Sequence, residues 1–260
     1  MSEGRWSDLL ARVLSALVLV AVFAVELWLG GVWFEVFVAV VCGIMVWELV
    51  RLLDPEAVAA SLQLGFLTAA ALLLSLHLPA LYQFPVLSAP ILVGLGQVKR
   101  RRRAFAGFTV WIVAAGLGFV TIRAGLGLEW MLWLVCIVVA TDVAGYFVGK
   151  TFGGPKFWPR VSPKKTWSGT AGGWGAAGLV GLAFAIHGGF GPGFVIVSVL
   201  ASMASQAGDM AESALKRRVG VKDASNLIPG HGGFLDRFDG MMGAAVFVLV
   251  IGVFYVPGGM

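Results

Sequence analysis

The chain has 260 residues, of which 59% are hydrophobic and only 13% charged, with a formal net charge of +5. This composition excludes an ordinary soluble globular protein and indicates a polytopic membrane protein. The basic residues stand at the ends of apolar segments, which favours membrane topology and anionic lipid headgroups over nucleic acid as the reason for the positive charge.

Apolar runs along the chain predict an all-α protein with about nine transmembrane helices. The runs cover residues 13–29, 32–50, 62–78, 85–98, 104–122, 128–148, 171–187, 194–211 and 241–256. The fourth run is short for a full crossing, and whether it crosses is left open. A cleaved signal peptide is not expected, because no small-residue cleavage site closes the first run and a second run follows at once. The prediction is one membrane-embedded domain, residues 1–260.

The positions of Lys and Arg orient the predicted helices. With the N-terminus in the cytoplasm, every one of the 19 basic residues except Arg123 falls on the cytoplasmic side. Arg5 and Arg12 precede the first run, and residues 99–103 form a cluster of five bases. This distribution satisfies the positive-inside rule. It predicts that the polar loops after the sixth and eighth helices are cytoplasmic.

Residues 206–240 concentrate charge in a way that lipid-facing structure does not explain. The acids and bases are Asp209, Glu212, Asp223, Asp236, Asp239, Lys216, Arg217, Arg218, Lys222 and Arg237. On a helix, Asp209, Glu212, Ser213 and Lys216 share one face, and Asp236 and Asp239 are spaced to do the same. Glycines between the two groups permit sharp turns. Carboxylates from two helices, with bases beside them, suit a hard divalent cation that holds phosphates.

Two earlier segments also carry candidate residues. Asp142 lies inside the sixth apolar run, where an ionised carboxylate costs roughly 2.5 to 3.5 kcal/mol; Tyr146 and Lys150 follow it. The next loop contains donors for a triphosphate and an aromatic ring that can stack on a base or anchor at the interface: Ser162, Lys164, Lys165, Thr166 and Trp167. A salt bridge between helices for Asp142, and an ordinary basic juxtamembrane loop, are the competing interpretations.

The residues just described form a specific pattern. Ser213-x-x-Lys216-Arg217, Lys222-Asp223 and Pro229-x-His231-Gly232-Gly233-x-x-Asp236-Arg237-x-Asp239 resemble the signature of the phosphatidate cytidylyltransferase (CDP-diacylglycerol synthase) family. Residues 142–150 resemble the family block Asp-x-x-Ala/Gly-Tyr-x-x-Gly-Lys. Ser168 departs from the Glu that similar proteins often carry there. Since the resemblance is sharp in the C-terminal half, residues 1–103 are expected to form a scaffold and residues 104–260 to carry the active site.

The resemblance implies a reaction, a cofactor and a set of site residues. Members of the family join CTP to phosphatidic acid, giving CDP-diacylglycerol and pyrophosphate for phospholipid biosynthesis. It implies Mg²⁺ held first by Asp209 and Asp236, with Asp239 and Asp223 as further candidate ligands and a second cation left open. The implied catalytic residues are Asp209, Asp236, Asp239, Lys216, Arg237 and Asp223. The implied substrate-binding residues are Asp142, Tyr146, Lys150, Ser162, Lys164, Lys165, Thr166, Trp167, Ser213, Arg217, Lys222, His231, Gly232 and Gly233.

The expected partners are CTP, phosphatidic acid and the lipid bilayer, without nucleic acid; a homodimer is an open expectation. The expected location is the bacterial inner membrane, with the active site facing the cytoplasm. His231 is a candidate ligand or base, but a hydrogen-bonding role in the loop is an equal alternative. Two other functions stay open: a polyprenol or phytol kinase, which also needs basic loops and acids, and a transporter, which nine spans and Asp142 would suit. The Asp-Gly-x-x-Ala-Arg pattern of CDP-alcohol phosphotransferases is absent.

Overall fold

The structure, a computed structural model, describes the backbone of residues 3–255 and the side chains of residues 13–252. Within that part of the chain, α-helices account for every predicted apolar run, which agrees with the all-α class. Their bounds are α1 (Glu3–Leu29), α2 (Gly31–Leu53), α3 (Val58–Leu76), α4 (Ala80–Gln97), α5 (Arg102–Thr121), α6 (Leu128–Phe152), α7 (Trp167–His187), α8 (Phe194–Val219) and α9 (Leu235–Tyr255). A π-helical turn, Ile122–Leu126, follows α5.

Among the described residues, six helices are long and apolar enough to cross a membrane. They are α2, α3, α5 with its π-helical turn, α6, α7 and α8. The protein therefore has the helices of an integral membrane protein. The finer count of nine crossings and the cytoplasmic N-terminus stay predictions. Val256, the predicted end of the ninth run, and the side chains of Arg5 and Arg12 lie outside the described residues.

Some helix bounds differ from those predicted by hydropathy. The fourth helix begins at Ala80, because Pro79 precedes it as the N-cap residue, and it continues through Pro85 and Pro90. The eighth helix continues past its apolar part to Val219, so that Asp209 and Lys216 are helical. Polar residues at the ends of helices lower the local hydropathy without breaking the backbone hydrogen bonds, so an apolar run underestimates the length of the helix.

The polar loop after α6 contains a β-hairpin that the sequence analysis missed. Strands β1 (Lys156–Trp158) and β2 (Ser162–Thr166) pair antiparallel, with Lys156 opposite Thr166. The turn is closed by the Val161 amide, which donates to the Trp158 carbonyl at 3.1 Å. Thr166 ends the second strand and also caps α7, because its Oγ1 accepts the Gly169 amide at 3.2 Å. The hairpin therefore leads directly into the start of α7.

The chain forms two compact units. The first comprises residues 1–120 and 218–238, and the second comprises residues 121–217 and 239–260. In the first unit α2 and α3 pack closely at small residues: a Cβ on Gly43 would lie 2.7 Å from the Gly65 carbonyl oxygen. The core of this unit is aliphatic, with Leu49, Leu53 and Leu64 fully buried.

The second unit combines close glycine packing with buried hydrogen bonds. A Cβ on Gly149 would lie 3.3 Å from the Gly169 Cα, so α6 and α7 approach to backbone distance. Two side-chain hydrogen bonds join α6 to α8 in the interior: Trp133 Nε1 donates to Ser198 Oγ at 2.9 Å, and the hydroxyls of Thr141 and Ser202 are 2.7 Å apart. These bonds satisfy polar groups inside the helix bundle and fix the register of α6 against α8.

Candidate active site

The second unit contains a cavity of about 620 Å³, here called the hairpin pocket, bounded by α6, the hairpin, α7 and α8. Its volume falls within the range of small-molecule sites. Its lining residues are Thr141, Asp142, Gly145, Tyr146, Gly149, Lys150, Gly153, Gly154, Lys156, Ser162, Lys164, Lys165, Thr166, Gly169, Thr170 and Gln206. Seven of the predicted substrate-binding residues are thus brought together, although they come from two different elements, α6 and β2.

Glycines make the hairpin pocket possible. Gly145 and Gly149 lie on the face of α6 that meets Gly169 at the start of α7. A Cβ on Gly169 would lie 2.5 Å from the Gly145 carbonyl oxygen, so no larger residue fits there. This close approach places the N-terminal turn of α7, with the positive end of its dipole, at the wall of the pocket. Four lysine ammonium groups, five residues with hydroxyl groups and a helix N-terminus suit a polyanionic ligand. The lysines are Lys150, Lys156, Lys164 and Lys165.

Asp209 on α8 is joined to the hairpin pocket by an ion pair. Its Oδ2 accepts from the ammonium group of Lys165, which lines the pocket. Its Oδ1 accepts from Ser213 Oγ, one helical turn further on, at 3.3 Å. Lys165 and Asp209 are therefore in contact, although these two predicted site residues are 44 positions apart in the sequence. The predicted pairing of Asp209 with Ser213 on one helix face is also present.

Three carboxylates of the second unit share an electrostatic environment. Asp142 interacts with Asp209 and Lys165, and Asp239 interacts with Asp209, Lys216 and Asp142. Asp239 Oδ1 also accepts the Gly240 amide at 2.7 Å. Like charges in one neighbourhood repel unless cations separate them. This arrangement favours the presence of a positively charged ligand near Asp209 and Asp239.

Carboxylate oxygens are a ligand type that suits Mg²⁺, but these carboxylates do not form a complete coordination cage for the ion. Among the side chains that the structure describes, no group of three or more His, Cys, Asp or Glu residues is close enough to hold a metal ion. Mg²⁺ does not need such a cage, since it retains water and takes substrate phosphates together with one or two carboxylates. Asp209 and Asp239 provide hard oxygen donors of this kind.

Lys216, which the resemblance implies to be a catalytic residue, takes part in a buried ion pair. It is buried and forms an ion pair with Glu212 at 2.5 Å, and the side chain of Glu212 is fully buried. Arg217, its neighbour, donates from Nε to the Val161 carbonyl of the hairpin at 3.4 Å. Both residues therefore hold structure beside the hairpin pocket, and their contact with substrate stays a prediction.

Trp167 does not line the hairpin pocket. Its ring packs edge-on against Phe157 with the centroids 4.7 Å apart, and its amide donates to the Pro155 carbonyl at 3.0 Å. This contact braces the hairpin against the start of α7. Stacking of Trp167 on a nucleotide base stays a prediction, while bracing of the hairpin is observed.

The first unit contains a second polar cavity, of about 540 Å³, in the loop between α8 and α9. The loop, residues 222–234, is here called the motif loop, and the cavity the motif-loop pocket. Its lining residues are Lys222, Asp223, Asn226, Ile228, Pro229, Gly230, His231, Gly232 and Arg237. Two cationic side chains and a histidine around a polar cavity suit a phosphate-bearing ligand.

The motif loop has a tight, internally bonded conformation. Ile228 pairs with Gly232, and the His231 amide donates to the Ile228 carbonyl at 2.9 Å. Gly232 has a φ of +82°, and a Cβ there would lie 2.7 Å from Asp236 Oδ2, so only glycine fits this position. His231 Nδ1 lies 2.9 Å from Ser15 Oγ of α1, and its carbonyl accepts Arg237 Nε at 2.8 Å. His231 thus has the hydrogen-bonding role that the sequence left as one alternative.

The carboxylate of Asp236 accepts hydrogen bonds from the motif loop. Its Oδ2 accepts the amides of Ala224 and Gly233, each at 2.8 Å. Its Oδ1 lies 3.1 Å from the same Ala224 amide, so both carboxylate oxygens contact the loop. The structure therefore gives Asp236 a role in holding the loop of the first unit. Its predicted role as a metal ligand together with Asp209 stays a prediction.

Sequence analysis missed Glu48, which lies on α2 in the first unit. Its carboxylate accepts hydrogen bonds from Ser225, Phe234 and Leu235, all in or next to the motif loop. The available signal was the same one that drew attention to Asp142: an acid inside an apolar run. Nothing near Glu48 in the sequence links it to the motif, because its partners lie at least 177 residues further along the chain.

Comparisons with known proteins cover almost the whole chain. Residues 10–255 match the model of the cytidylyltransferase family. The chain is 35% identical to the phosphatidate cytidylyltransferase of Brucella suis biovar 1 (strain 1330), over 96% of this chain and 95% of the relative. It is 39% identical to that of Staphylococcus aureus (strain COL), over 54% and 55%, and 40% identical to that of Bacillus subtilis (strain 168), over 45% and 44%. The chain therefore belongs to the cytidylyltransferase family.

Proposed function

We propose that the protein is a phosphatidate cytidylyltransferase, which converts CTP and phosphatidic acid into CDP-diacylglycerol and pyrophosphate. The observation that carries the proposal is the similarity to enzymes of that name along 96% of the chain. The hairpin pocket supports it, since lysines and hydroxyls surround a cavity large enough for a nucleotide. The helices long enough to cross a membrane give access to a lipid substrate.

The reaction needs charge control more than it needs an activated nucleophile. A phosphate oxygen of phosphatidic acid attacks the α-phosphorus of CTP, and the bond from that phosphorus to the bridging oxygen breaks as pyrophosphate leaves. Because the attacking oxygen is already anionic, no serine or cysteine has to be deprotonated. The protein must place the two anions in line and neutralise the charge that collects on the leaving pyrophosphate.

The hairpin pocket is proposed to hold the triphosphate of CTP. Lys150, Lys164 and Lys165 would donate to phosphate oxygens, and Thr166 and Ser162 would add hydroxyl donors. The N-terminal turn of α7, at Gly169 and Thr170, would add the positive end of the helix dipole. Lys165 has a second function, because its ion pair holds Asp209 beside the pocket.

Asp209 and Asp239 are proposed to hold Mg²⁺, with Asp236 as the further candidate ligand from the sequence pattern. When bound, Mg²⁺ would neutralise charge on the triphosphate and on the leaving pyrophosphate. The carboxylates of Asp142, Asp209 and Asp239 provide the negative potential for such a cation. Lys165 and Lys216 balance part of that charge in the structure.

The motif-loop pocket is proposed to bind a phosphate group of a substrate. Lys222 and Arg237 line this cavity and His231 stands between them in the loop. Arg237 is already oriented, since its Nε donates to the His231 carbonyl at 2.8 Å. An oriented guanidinium loses less freedom when it binds an anion than a free side chain does.

We further propose that the active site faces the cytoplasm of a bacterial inner membrane, where CTP is made. The positions of Lys and Arg along the sequence support this orientation. A homodimer stays an expectation drawn from the family resemblance.

The direct test incubates the purified protein with phosphatidic acid, Mg²⁺ and CTP labelled in the cytidine ring. A chloroform-soluble cytidine product that requires phosphatidic acid is the expected result. Transfer of the γ-phosphate alone to a lipid would identify a kinase instead. Unmodified substrate that accumulates inside proteoliposomes would identify a transporter.

A further inference from the structure

Glu48 is a buried carboxylate on an apolar helix with an unusual set of partners. Its side chain belongs to α2 and is 0% exposed. Oε1 accepts the Ser225 hydroxyl at 2.6 Å and the Phe234 amide at 3.0 Å, and Oε2 accepts the Leu235 amide at 2.8 Å. A carboxylate inside a bundle is costly unless donors surround it, and here three donors do so.

The three donors stand at the two ends of the motif loop. Ser225 lies near its start, whereas Phe234 and Leu235 lie at the point where the loop becomes α9. The amides at the start of a helix have no partners within the helix. Glu48 supplies those partners from another element of the same unit. It therefore fixes the direction in which α9 begins and also the position of Ser225, near the start of the motif loop.

Gly233 reflects the same arrangement. A Cβ added to Gly233 would collide with the carboxylate of Glu48, so the loop can reach this carboxylate only with glycine at the position. The Gly233 amide meanwhile donates to Asp236. The motif glycine thus lies between two carboxylates, of which only Asp236 was recognised from the sequence.

A buried ionic group contributes less to stability than its bonds suggest, because burial removes the charge from water. Its clearer contribution is a fixed geometry. Lys222, His231 and Arg237 line the motif-loop pocket on the segment that Glu48 and Asp236 hold at its ends.

We propose that Glu48 is a positioning residue for the reaction: it preorganises the motif loop so that the side chains of the motif-loop pocket stand ready for a phosphate group. Glu48 itself touches no reacting atom and acts through the loop. The catalytic consequence rests on the proposed cytidylyltransferase function, whereas the fixation of the loop does not. The two can therefore be tested separately.

The test compares Glu48→Gln with Glu35→Gln in the purified, detergent-solubilised protein. Glutamine keeps the shape of Glu48 but places an NH₂ group where one oxygen accepts, so that a donor faces a donor. Glu35 lies on the same helix and contacts His77 at 3.2 Å, outside the motif loop, so it is the matched control. Ser225→Ala is a milder second variant without loss of charge: it removes one of the three hydrogen bonds to Glu48, together with the bond that Ser225 Oγ accepts from the Leu227 amide at 3.1 Å.

Hydrogen–deuterium exchange of peptides from residues 222–237 measures the loop directly. We expect exchange there to accelerate at least tenfold in Glu48→Gln and by less in Ser225→Ala, while peptides from α6 and α7 and the Glu35→Gln protein match the wild type. Cytidylyltransfer should show kcat/KM reduced at least tenfold in Glu48→Gln, by less in Ser225→Ala, and within twofold of wild type in Glu35→Gln.

Wild-type exchange in the loop of Glu48→Gln would overturn the proposal. So would accelerated exchange with kcat/KM within twofold of wild type, because a released loop would then be irrelevant to catalysis. If Glu48→Gln does not fold, Ser225→Ala decides by the same two measurements. A wild-type protein that makes no CDP-diacylglycerol would refute the proposed function, and the exchange data would still decide whether Glu48 holds the loop.

Discussion

Asp236 has an observed structural role and a proposed chemical role, and one substitution can separate the two. Its Oδ2 holds the amides of Ala224 and Gly233, and a single oxygen is enough for both bonds. Asp236→Asn keeps an oxygen for these amides but removes the negative charge. We expect a folded protein whose kcat falls roughly 100-fold or more, the usual loss when one electrostatic stabiliser is removed. Initial rates of labelled CDP-diacylglycerol formation over a Mg²⁺ titration measure the change.

Glu56→Gln is the control for this substitution, because Glu56 is exposed and its contact is a surface ion pair with Arg100 at 3.3 Å. The same change of acid to amide should leave the rate unaltered there. Near-normal activity of Asp236→Asn at ordinary Mg²⁺ concentrations would remove Asp236 from the metal site.

A substitution of Lys164 tests recognition of the nucleotide separately from recognition of the lipid. Its side chain is exposed on β2 and lines the hairpin pocket. A hydrogen bond to a charged group contributes about 1.5 to 3 kcal/mol. Lys164→Ala is therefore expected to raise the KM for CTP about tenfold or more, with little change in the KM for phosphatidic acid. Steady-state kinetics in mixed micelles, with each substrate varied in turn, provide the measurement.

Arg103→Ala removes an exposed base from the first turn of α5 and should change neither constant. Equal increases in both KM values for Lys164→Ala would argue against a CTP-specific role for the hairpin pocket.

At the scale of elements, the hairpin pocket depends on backbone contact between α6 and α7. Gly169 has no space for a side chain, because its Cβ would lie 2.5 Å from the Gly145 carbonyl oxygen. Gly169→Ala must push α7 away from α6, and overpacking of this kind costs about 1 to 3 kcal/mol. We expect a lower Tm in detergent and weaker CTP binding, measured by thermal unfolding with and without CTP.

Gly175 offers a matched comparison on the same helix, since nothing lies within 4 Å of a Cβ built there. Gly175→Ala is expected to leave the Tm unchanged or raise it slightly, because alanine restricts the unfolded chain. If both substitutions lower the Tm equally, the loss reflects helix α7 itself and not its contact with α6.

At the scale of the whole molecule, the distribution of charge predicts which ends of the helices face the cytoplasm. A single helix, α7, separates the hairpin loop from the turn at residues 188–193. Gly154→Cys and Gly189→Cys, each made after replacing Cys42 and Cys136, are expected to react with a membrane-impermeant maleimide from opposite sides. Gly189→Cys should be labelled from outside in intact cells, and Gly154→Cys only in inverted vesicles. Labelling of both from one side would contradict the predicted orientation.

The sequence by itself determined the class of the protein and much of its chemistry. Long apolar runs can only form helices in a bilayer, since each backbone polar group must be satisfied within the segment; the run that predicts α6 is one example. Charged residues that interrupt or follow such runs are costly, so Asp142 and the segment 206–240 were conspicuous as candidates. Motif spacing then indicated the family to which the chain belongs.

Only the tertiary structure decided which distant residues meet. It placed Lys165 in contact with Asp209 and packed the ring of Trp167 against Phe157. It also brought Glu48 of α2 to the motif loop, across at least 177 residues of sequence. Hydropathy and motif spacing describe neighbours along the chain, whereas a hydrogen bond depends on distance in space. A residue such as Glu48, whose partners are backbone amides that any amino acid supplies, leaves no trace of that contact in the sequence.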